Sequence, residues 1–475
     1  MKVPTIIRVQ PDGGTSWGGD IPLEPGVLKW FKLSLPHRDS LPVDVRNSPK
    51  LREAEEIREQ LDLTAVQVTA KFLTQIWSHC LEASPLVALD HFSSIQVVMT
   101  IPATWPSDAQ LRFKEAIHKS SIARCRIPLK ITFLSEAEAA VLAMDKNVKG
   151  RLQAHDIITV CDCGGGTVDV TTYEILSTSP FRPREFVPGD IVLCGGELLD
   201  DGFAQLLKRK LGKIFEEETF KAMDKSVFQQ CLHDWWQRGL KFTFNEIPVE
   251  RKFMVPKELF ASRQAGVQIA FDRSVPSGPS YAYIYLTGGF SNSDYLRRQL
   301  QTMLNAQILW SGLHLGYMGV SIGAAVHAQR AEGHPQLEYV NLESRISRKS
   351  YRIRSRAGHH YHYSLIVTMG EDMPAYRGKR VALRDHLGLD GRSPSEELTA
   401  LDVLRVDGPP ETSNGVVECQ ITWKSALALS LLTSRPTAGG VFVELEAVYT
   451  GYSMEFAIYH NGECQDQDHV PIQYV

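Results

Sequence analysis

Between Val160 and Ile175 the chain reads VCDCGGGTVDVTTYEI, with Gly164, Gly165 and Gly166 set between two runs rich in β-branched residues. Asp162 stands two positions before the glycines, and Asp169 follows Thr167 by two. A glycine triplet weakens a strand interior, so it is expected where the backbone bends sharply or closely approaches another group. A bound phosphate is one such group. Taken alone, GGGT is better read as a tight hairpin turn without a ligand. Three further glycine sites change the weighing: Gly195-Gly196-Glu197, Gly288-Gly289 and Gly323. The first two precede predicted helices, where unpaired backbone N–H groups and the helix dipole favour anions. Together the four resemble a divided cradle for phosphates and a nucleoside.

The elements around these residues follow from hydrophobic periodicity. Residues 3–9 predict a strand, with PDGG (11–14) as the hairpin turn after it. Val68, Phe72, Ile76 and Cys80 recur every four residues and predict a buried helix face. IQVVMTIP (95–102) and LKITFLS predict strands, while 107–120, opened by a serine cap, and 136–145 predict helices. The alternation restarts with a hairpin around the triglycine, a helix over 195–218, a strand and helix over 281–300 and a small-residue helix over 316–329. Strands alternating with helices indicate α/β layers. After about residue 340 the texture turns to short alternating segments, indicating a β-rich region. The expected domains are therefore 1–150, 151–335 and 336–475, within the roughly two to four that this length allows.

With 43% hydrophobic and 22% charged residues and a net charge of −4, the bulk composition biases the chain toward neither nucleic acid nor membrane, and neither is expected as a partner. No window approaches the roughly 20 apolar residues of a membrane-spanning helix. Eight cysteines without disulfide-framework spacing fit a reducing compartment, with cytosol as the default.

TVCDCGGGTVDVTTYEI resembles the second phosphate motif of the actin, hexokinase and heat-shock ATPase superfamily. VVMTIPATWPSDAQLRFKEAI, followed by FLSEAEAAVLAMD, resembles the connecting segments of DnaK-type heat-shock 70 proteins. GGELLD and LTGGFSNSDYL are similar to that family's second-lobe and adenosine motifs, and VPTIIRV, WGG and LKWFKLSL resemble divergent fungal and animal members. The resemblance covers about residues 3–330. It implies an actin-like ATPase fold of two ribonuclease H-like lobes, binding ATP or ADP with Mg2+, and possible weak hydrolysis of ATP.

Carried over, the resemblance implies that Asp162 holds the metal through water, with Gly164, Gly165, Gly166 and Thr167 wrapping the phosphates. Asp169 and Glu136 would place the metal's waters and the attacking water, and Lys32 would be the catalytic lysine. Gly195, Gly196, Glu197, Lys241, Gly288, Gly289, Phe290 and Gly323 would face the nucleotide. Each has a plainer reading: Asp162 as a strand-end cap, Glu136 as a first-turn helix acid, Lys241 as a snorkelling lysine. The family's first phosphate hairpin, Asp-x-Gly-Thr-Thr, is not found, because Met1 opens in the segment that ordinarily follows it. Lobe one is therefore expected to be incomplete, with a short sheet beside IQVVMTIP and weak nucleotide binding. Asp12, Gly13, Gly14 and Thr15 superficially match the missing motif but already explain themselves as a hairpin turn. Asn292 and Phe290 replace the expected adenine-stacking arginine and a small polar residue, while Pro102 is kept and Gln110 sits near the expected switch arginine.

Three other features stand outside this pattern. RISRKSYRIRSR (345–356) puts Arg352, Arg354 and Arg356 on one strand face; an acidic partner or nucleic acid is the alternative to a solvated strand, which is favoured without neighbouring aromatics. HHYH (359–362) lacks a companion ligand at metal-site spacing. Cys161 and Cys163 read as small core residues. The leading function is an ATP-binding, chaperone-related protein that meets client or regulatory proteins through its C-terminal region. A scaffold that retains the ATPase fold without catalysis and a metabolite kinase of the same superfamily are the alternatives.

Overall fold

The computed structural model describes residues 3–10, 12–21, 26–83, 93–213, 228, 231, 232, 234, 236, 240–243, 251–253, 267–269, 283–304, 306–331, 342–357, 360–375, 378–383, 400–406, 415–422, 443–449, 454–460, 462–465 and 472–474. It is a mixed α/β structure with several sheets, divided into two units: 1–171 with 189–337, and 172–188 with 338–475.

The first unit opens with a three-stranded antiparallel sheet, β2-β1-β3, made of β1 (Ile7–Val9), β2 (Thr15–Trp17) and β3 (Val27–Leu28). The Asp-Gly turn forms as the sequence predicts: Gly13 has φ +86°, and Asp12 Oδ1 accepts from Gly14 N at 2.8 Å. Short α1 (Val43–Arg46) and α2 (Pro49–Gln60) precede α3 (Ala65–Ala83). Thr64 and Gln67 cap α3 reciprocally, with Gln67 N donating to Thr64 Oγ1 (3.1 Å) and Thr64 N to Gln67 Oε1 (2.7 Å). Val68 and Phe72 of α3 pack with Ile7, Leu28 and Phe31, but Cys80 is exposed. Four-residue steps overshoot the helical turn by about 40° each, so after three steps Cys80 has rotated off the buried face.

β4 (Ile95–Ile101) and β5 (Leu129–Ser135) form a parallel pair flanking α4 (Ser107–Lys119). Among the described residues no further strand joins them, and β4 is only half-buried from Ile95 to Thr100. The α4 cap position is Pro106, one residue before the serine expected there. Ser135 caps α5 (Glu136–Leu142) by accepting from Glu138 N at 3.1 Å, which sets Glu136 at the start of the helix; short α6 (Lys146–Lys149) follows.

The central sheet has the order β12-β11-β6-β7-β8. It comprises β6 (Ile157–Cys163), β7 (Val168–Thr178), β8 (Phe181–Val192), β11 (Tyr283–Thr287) and β12 (Gln307–Trp310). The 12-residue β8 is an element the periodicity did not reveal. β11 is parallel to both β6 and β12, and Asp162 aligns with Thr287, so the triglycine and Gly288-Gly289 leave the sheet at one end. Helices α7 (Gly196–Leu211), α8 (Lys241–Thr243), α9 (Asp294–Leu304) and α10 (Gly312–Ala331) and a small antiparallel pair, β9 (Arg251–Phe253) with β10 (Val267–Ile269), complete the unit.

The second unit joins residues 172–188, which run through most of β7 and β8, to the β-rich region. One sheet runs β15-β14-β18-β19-β23 and another β17-β20-β21-β22, with β13 (Ser344–Ile346) paired to β16 (Asp372–Pro374). Their strands are β14 (Ser350–Ala357), β15 (His360–Val367), β17 (Lys379–Ala382), β18 (Ala400–Val406), β19 (Val416–Thr422), β20 (Val443–Tyr449), β21 (Met454–His460), β22 (Glu463–Gln465) and β23 (Ile472–Tyr474). Tyr351, Ile353, Ile366, Leu401, Val403 and Ile421 of the first sheet share a core with Leu445, Ala447, Met454 and Ile458 of the second. His359 and the side chains of His360 and His362 lie outside the described residues. No helix among the described residues is long and apolar enough to cross a membrane.

Candidate functional site

β6 and β7 are neighbours joined by Gly164–Thr167, and the turn closes on itself through Gly164 N, which donates to Asp162 O (3.1 Å) and Thr167 O (2.9 Å). The amides of Gly165, Gly166 and Thr167 donate to no backbone carbonyl among the described residues. The three glycine carbonyls are all used. Gly166 O accepts from Gly195 N (2.9 Å), Gly164 O from Gly196 N (3.1 Å) and Gly165 O from Glu197 N (2.8 Å). The first-turn amides of α7, in which sequence reasoning saw an anion site, are thus paired with the triglycine turn itself. A Cβ on Gly195 would stand 2.3 Å from Gly165 O, which is why this position needs glycine.

Lys32, in a 3-10 turn over Phe31–Ser34, places its Nζ 2.6 Å from Glu136 Oε1 and 5.5 Å from the ring centroid of buried Trp105. The Lys32 ammonium is closely surrounded by protein, yet 41% of its side chain is open to solvent. Burial works against its charge, but Glu136, with Asp169 and Asp162 behind it, outweighs this and raises its pKa above the ordinary lysine value. Asp169 is buried; Thr167 Oγ1 donates to its Oδ2 at 3.1 Å, while its Oδ1 is buried and has no hydrogen-bond partner among the described residues. Burial first, then Glu136 and Asp162, push the Asp169 carboxyl well above the usual range, with Lys32 and Thr167 opposing. Among the described residues three carboxylates, Glu136, Asp162 and Asp169, act on the one ammonium of Lys32.

The second set surrounds the start of α7. A Cβ on Gly196 would meet Lys241 Nζ at 3.2 Å and Phe290 Cβ at 3.4 Å, so these three residues adjoin. Lys241 Nζ is 2.7 Å from Asp200 Oδ1, which also accepts from Trp236 Nε1 at 2.6 Å. The Glu197 carboxylate lies against Gly165, its pKa raised by burial; Asp200 and Asp201 add to this and Lys29 and Lys241 oppose it. Gly288 has φ +81°, and a Cβ there would lie 2.3 Å from Asp162 Oδ1. Gly289 opens a buried 3-10 turn, Gly289–Asn292, whose Phe290 packs with Cys163, Ile284 and Leu286. Cys161 joins the same cluster, matching its reading as a core residue.

The structure therefore brings together Lys32, Glu136, Asp162, Thr167, Asp169 and the triglycine, with Gly195, Gly196, Glu197 and Gly288 against them and Lys241 and Phe290 beside Gly196. Gly323 lies in α10, where its Cβ position would be 1.7 Å from Ala139 O of α5, so glycine there serves a helix crossing. Asn292 is buried. Sequence reasoning missed Trp30, Trp105 and Asp200. Trp30 adopts φ +61° and lays its ring on Gly166, where a Cβ would be 2.5 Å from it. A bulky residue in the left-handed region is uncommon, and nothing in LKWFKL marks it. The described residues hold no direct metal-binding group of three His, Cys, Asp or Glu. In comparisons with known proteins, no family model matches the chain and no curated protein sequence matches it.

Proposed function

We propose that the first unit binds an adenine nucleotide, ATP or ADP, in the manner of an actin-like, heat-shock 70-type ATPase with two ribonuclease H-like lobes. The observation that carries this is the pairing of three loop amides, on Gly165, Gly166 and Thr167, which donate to no backbone carbonyl among the described residues, with an adjoining cluster of Lys32, Glu136, Asp162 and Asp169. Successive free amides are the usual means by which a backbone holds phosphate oxygens. The sheet order around β6, with parallel β11 and β12 on one side and β7 and β8 on the other, is in keeping with a ribonuclease H-like lobe. The C-terminal unit is the place where client or regulatory proteins engage.

A divalent cation fits this donor set. Among the described residues Asp169 Oδ1 is a buried carboxylate oxygen without a hydrogen-bond partner, and the three carboxylates around the Lys32 ammonium favour added positive charge. With no direct three-ligand group, Asp162 and Asp169 would hold Mg2+ through water, and the ion when bound neutralises phosphate charge. Lys32 orients Glu136, Thr167 holds Asp169, and the triglycine amides fix the phosphates. Phe290 and Lys241 border Gly196, where the nucleoside would lie.

A second reading, a nucleotide-binding scaffold without turnover, is favoured by Trp30, whose ring already covers Gly166. Calorimetry with ATP, with and without Mg2+, on the wild type and Asp162→Asn tests the binding. Asp162→Asn is expected to weaken binding of ATP–Mg2+ much more than of metal-free ATP, and equal losses would remove Asp162 from the metal's shell. Phosphate release from the wild type then separates a slow ATPase from the scaffold.

A further inference from the structure

Six basic residues lie from Arg345 to Arg356, and Arg345 and Arg348 serve the fold. Arg345 is buried and bonds Ala375 O, and Arg348 pairs with the buried Glu185 carboxylate. Arg352 and Arg354 differ. They alternate along β14 with Tyr351 and Ile353, which point into the core, so the arginines occupy the outer face of the sheet. The hairpin register sets Arg354 opposite Tyr363 and Arg352 opposite Leu365. Tyr361, Tyr363 and Leu365 on this face are 53%, 48% and 46% exposed. The guanidinium of Arg352 stands 4.8 Å from the Tyr363 ring centroid, and that of Arg354 stands 5.2 Å from Tyr361. The aromatic neighbours whose absence favoured a solvated strand are therefore supplied by β15, across the hairpin rather than along the chain.

We propose that the outer face of β14 and β15, carrying Arg352, Arg354, Tyr361 and Tyr363, binds single-stranded nucleic acid. Exposed aromatic rings stack bases, and interleaved arginines meet the phosphates. The two tyrosine ring centroids are 6.4 Å apart, nearly twice the about 3.4 Å rise between stacked bases in a duplex strand. They suit two bases drawn apart on a flexible strand, whereas a duplex offers no free base faces. Asp402, bonded to Arg354 at 2.6 Å and to Gln420 at 2.9 Å, fixes the Arg354 guanidinium in place beside Tyr361. The net charge of −4 is a sum over the whole chain and does not mark this face, where Arg352 and Arg354 stand on one strand beside Asp402. The site lies in the second unit and does not depend on nucleotide binding by the first.

The test uses the whole chain and a fluorescein-labelled 12-nucleotide oligouridylate, read by fluorescence anisotropy at several salt concentrations with excess ATP present. The single strand is expected to bind more tightly than a duplex of the same length. Tyr363→Ala should weaken it roughly tenfold or more with the salt slope unchanged. Arg352→Gln should lower that slope by about 0.7. If Tyr363→Ala does not give the wild-type circular dichroism spectrum, Tyr361→Ala takes its place. Unchanged affinity in the tyrosine variant, equal binding of duplex, full competition by ATP, or displacement by polyglutamate at matched charge would overturn the proposal. The last outcome would make the face a site for acidic peptides instead.

Discussion

Gly195→Ala tests how tightly the triglycine turn is locked to α7. Gly195 has φ −70°, which alanine adopts freely, so any cost comes from contact rather than backbone strain. The new methyl would sit 2.3 Å from Gly165 O and 2.5 Å from the carbonyl carbons of Gly165 and Gly166, all backbone atoms that cannot rotate aside. Relief requires the turn to part from the helix, stretching the bonds from Gly195, Gly196 and Glu197. Three such bonds at about 0.5–1.5 kcal/mol each bound the loss at about 1.5–4.5 kcal/mol. Partial repacking costs about 1–3 kcal/mol, so a loss near 2 kcal/mol is expected. Gly202→Ala is the control within the same helix. Nothing lies within 4 Å of its Cβ position, and replacing an exposed mid-helix glycine should stabilise by about 0.5–1 kcal/mol. Urea unfolding of both variants reads the opposite signs. A Gly195→Ala protein within about 0.5 kcal/mol of wild type would refute the close packing of turn and helix.

Two further outcomes follow from the same region. Because the folded state raises the Asp169 pKa, it binds that proton more tightly than the unfolded chain, so the stability cost of ionisation is absent below the ordinary value of 3.8 and grows as pH rises toward the raised one. Asp169→Asn should therefore stabilise the metal-free protein by about 1–3 kcal/mol at pH 8, with the gain shrinking toward about pH 4; denaturant midpoints across pH check this, and a pH-independent difference would rule out titration of Asp169 as its source. Gly323→Ala should cost about 1–3 kcal/mol through its clash with Ala139 O, with ATP affinity unchanged by calorimetry on the folded fraction. Normal stability with reduced affinity would instead return Gly323 to the nucleotide.

Local chemistry made much of this chain legible. Asp-Gly with its left-handed glycine determined the β1–β2 turn, Thr64 and Gln67 determined the start of α3, and the β-branched runs on either side of Gly164–Gly166 determined β6 and β7. In each case the signal and its consequence lie within a few residues. The spacing of Lys32, Glu136 and Asp169 along the chain did not determine that they share charge; the folding of α5 against the turn at Phe31 decided it. Tertiary structure likewise decided that the α7 amides pair with the triglycine carbonyls, that Gly323 serves a helix crossing and that Trp30 covers Gly166. It also decided that Tyr361 and Tyr363 stand beside Arg354 and Arg352, because strand register places residues side by side that lie well apart along the chain. Residue types specify what a group can bond, but its actual partner depends on long-range packing that no local pattern carries.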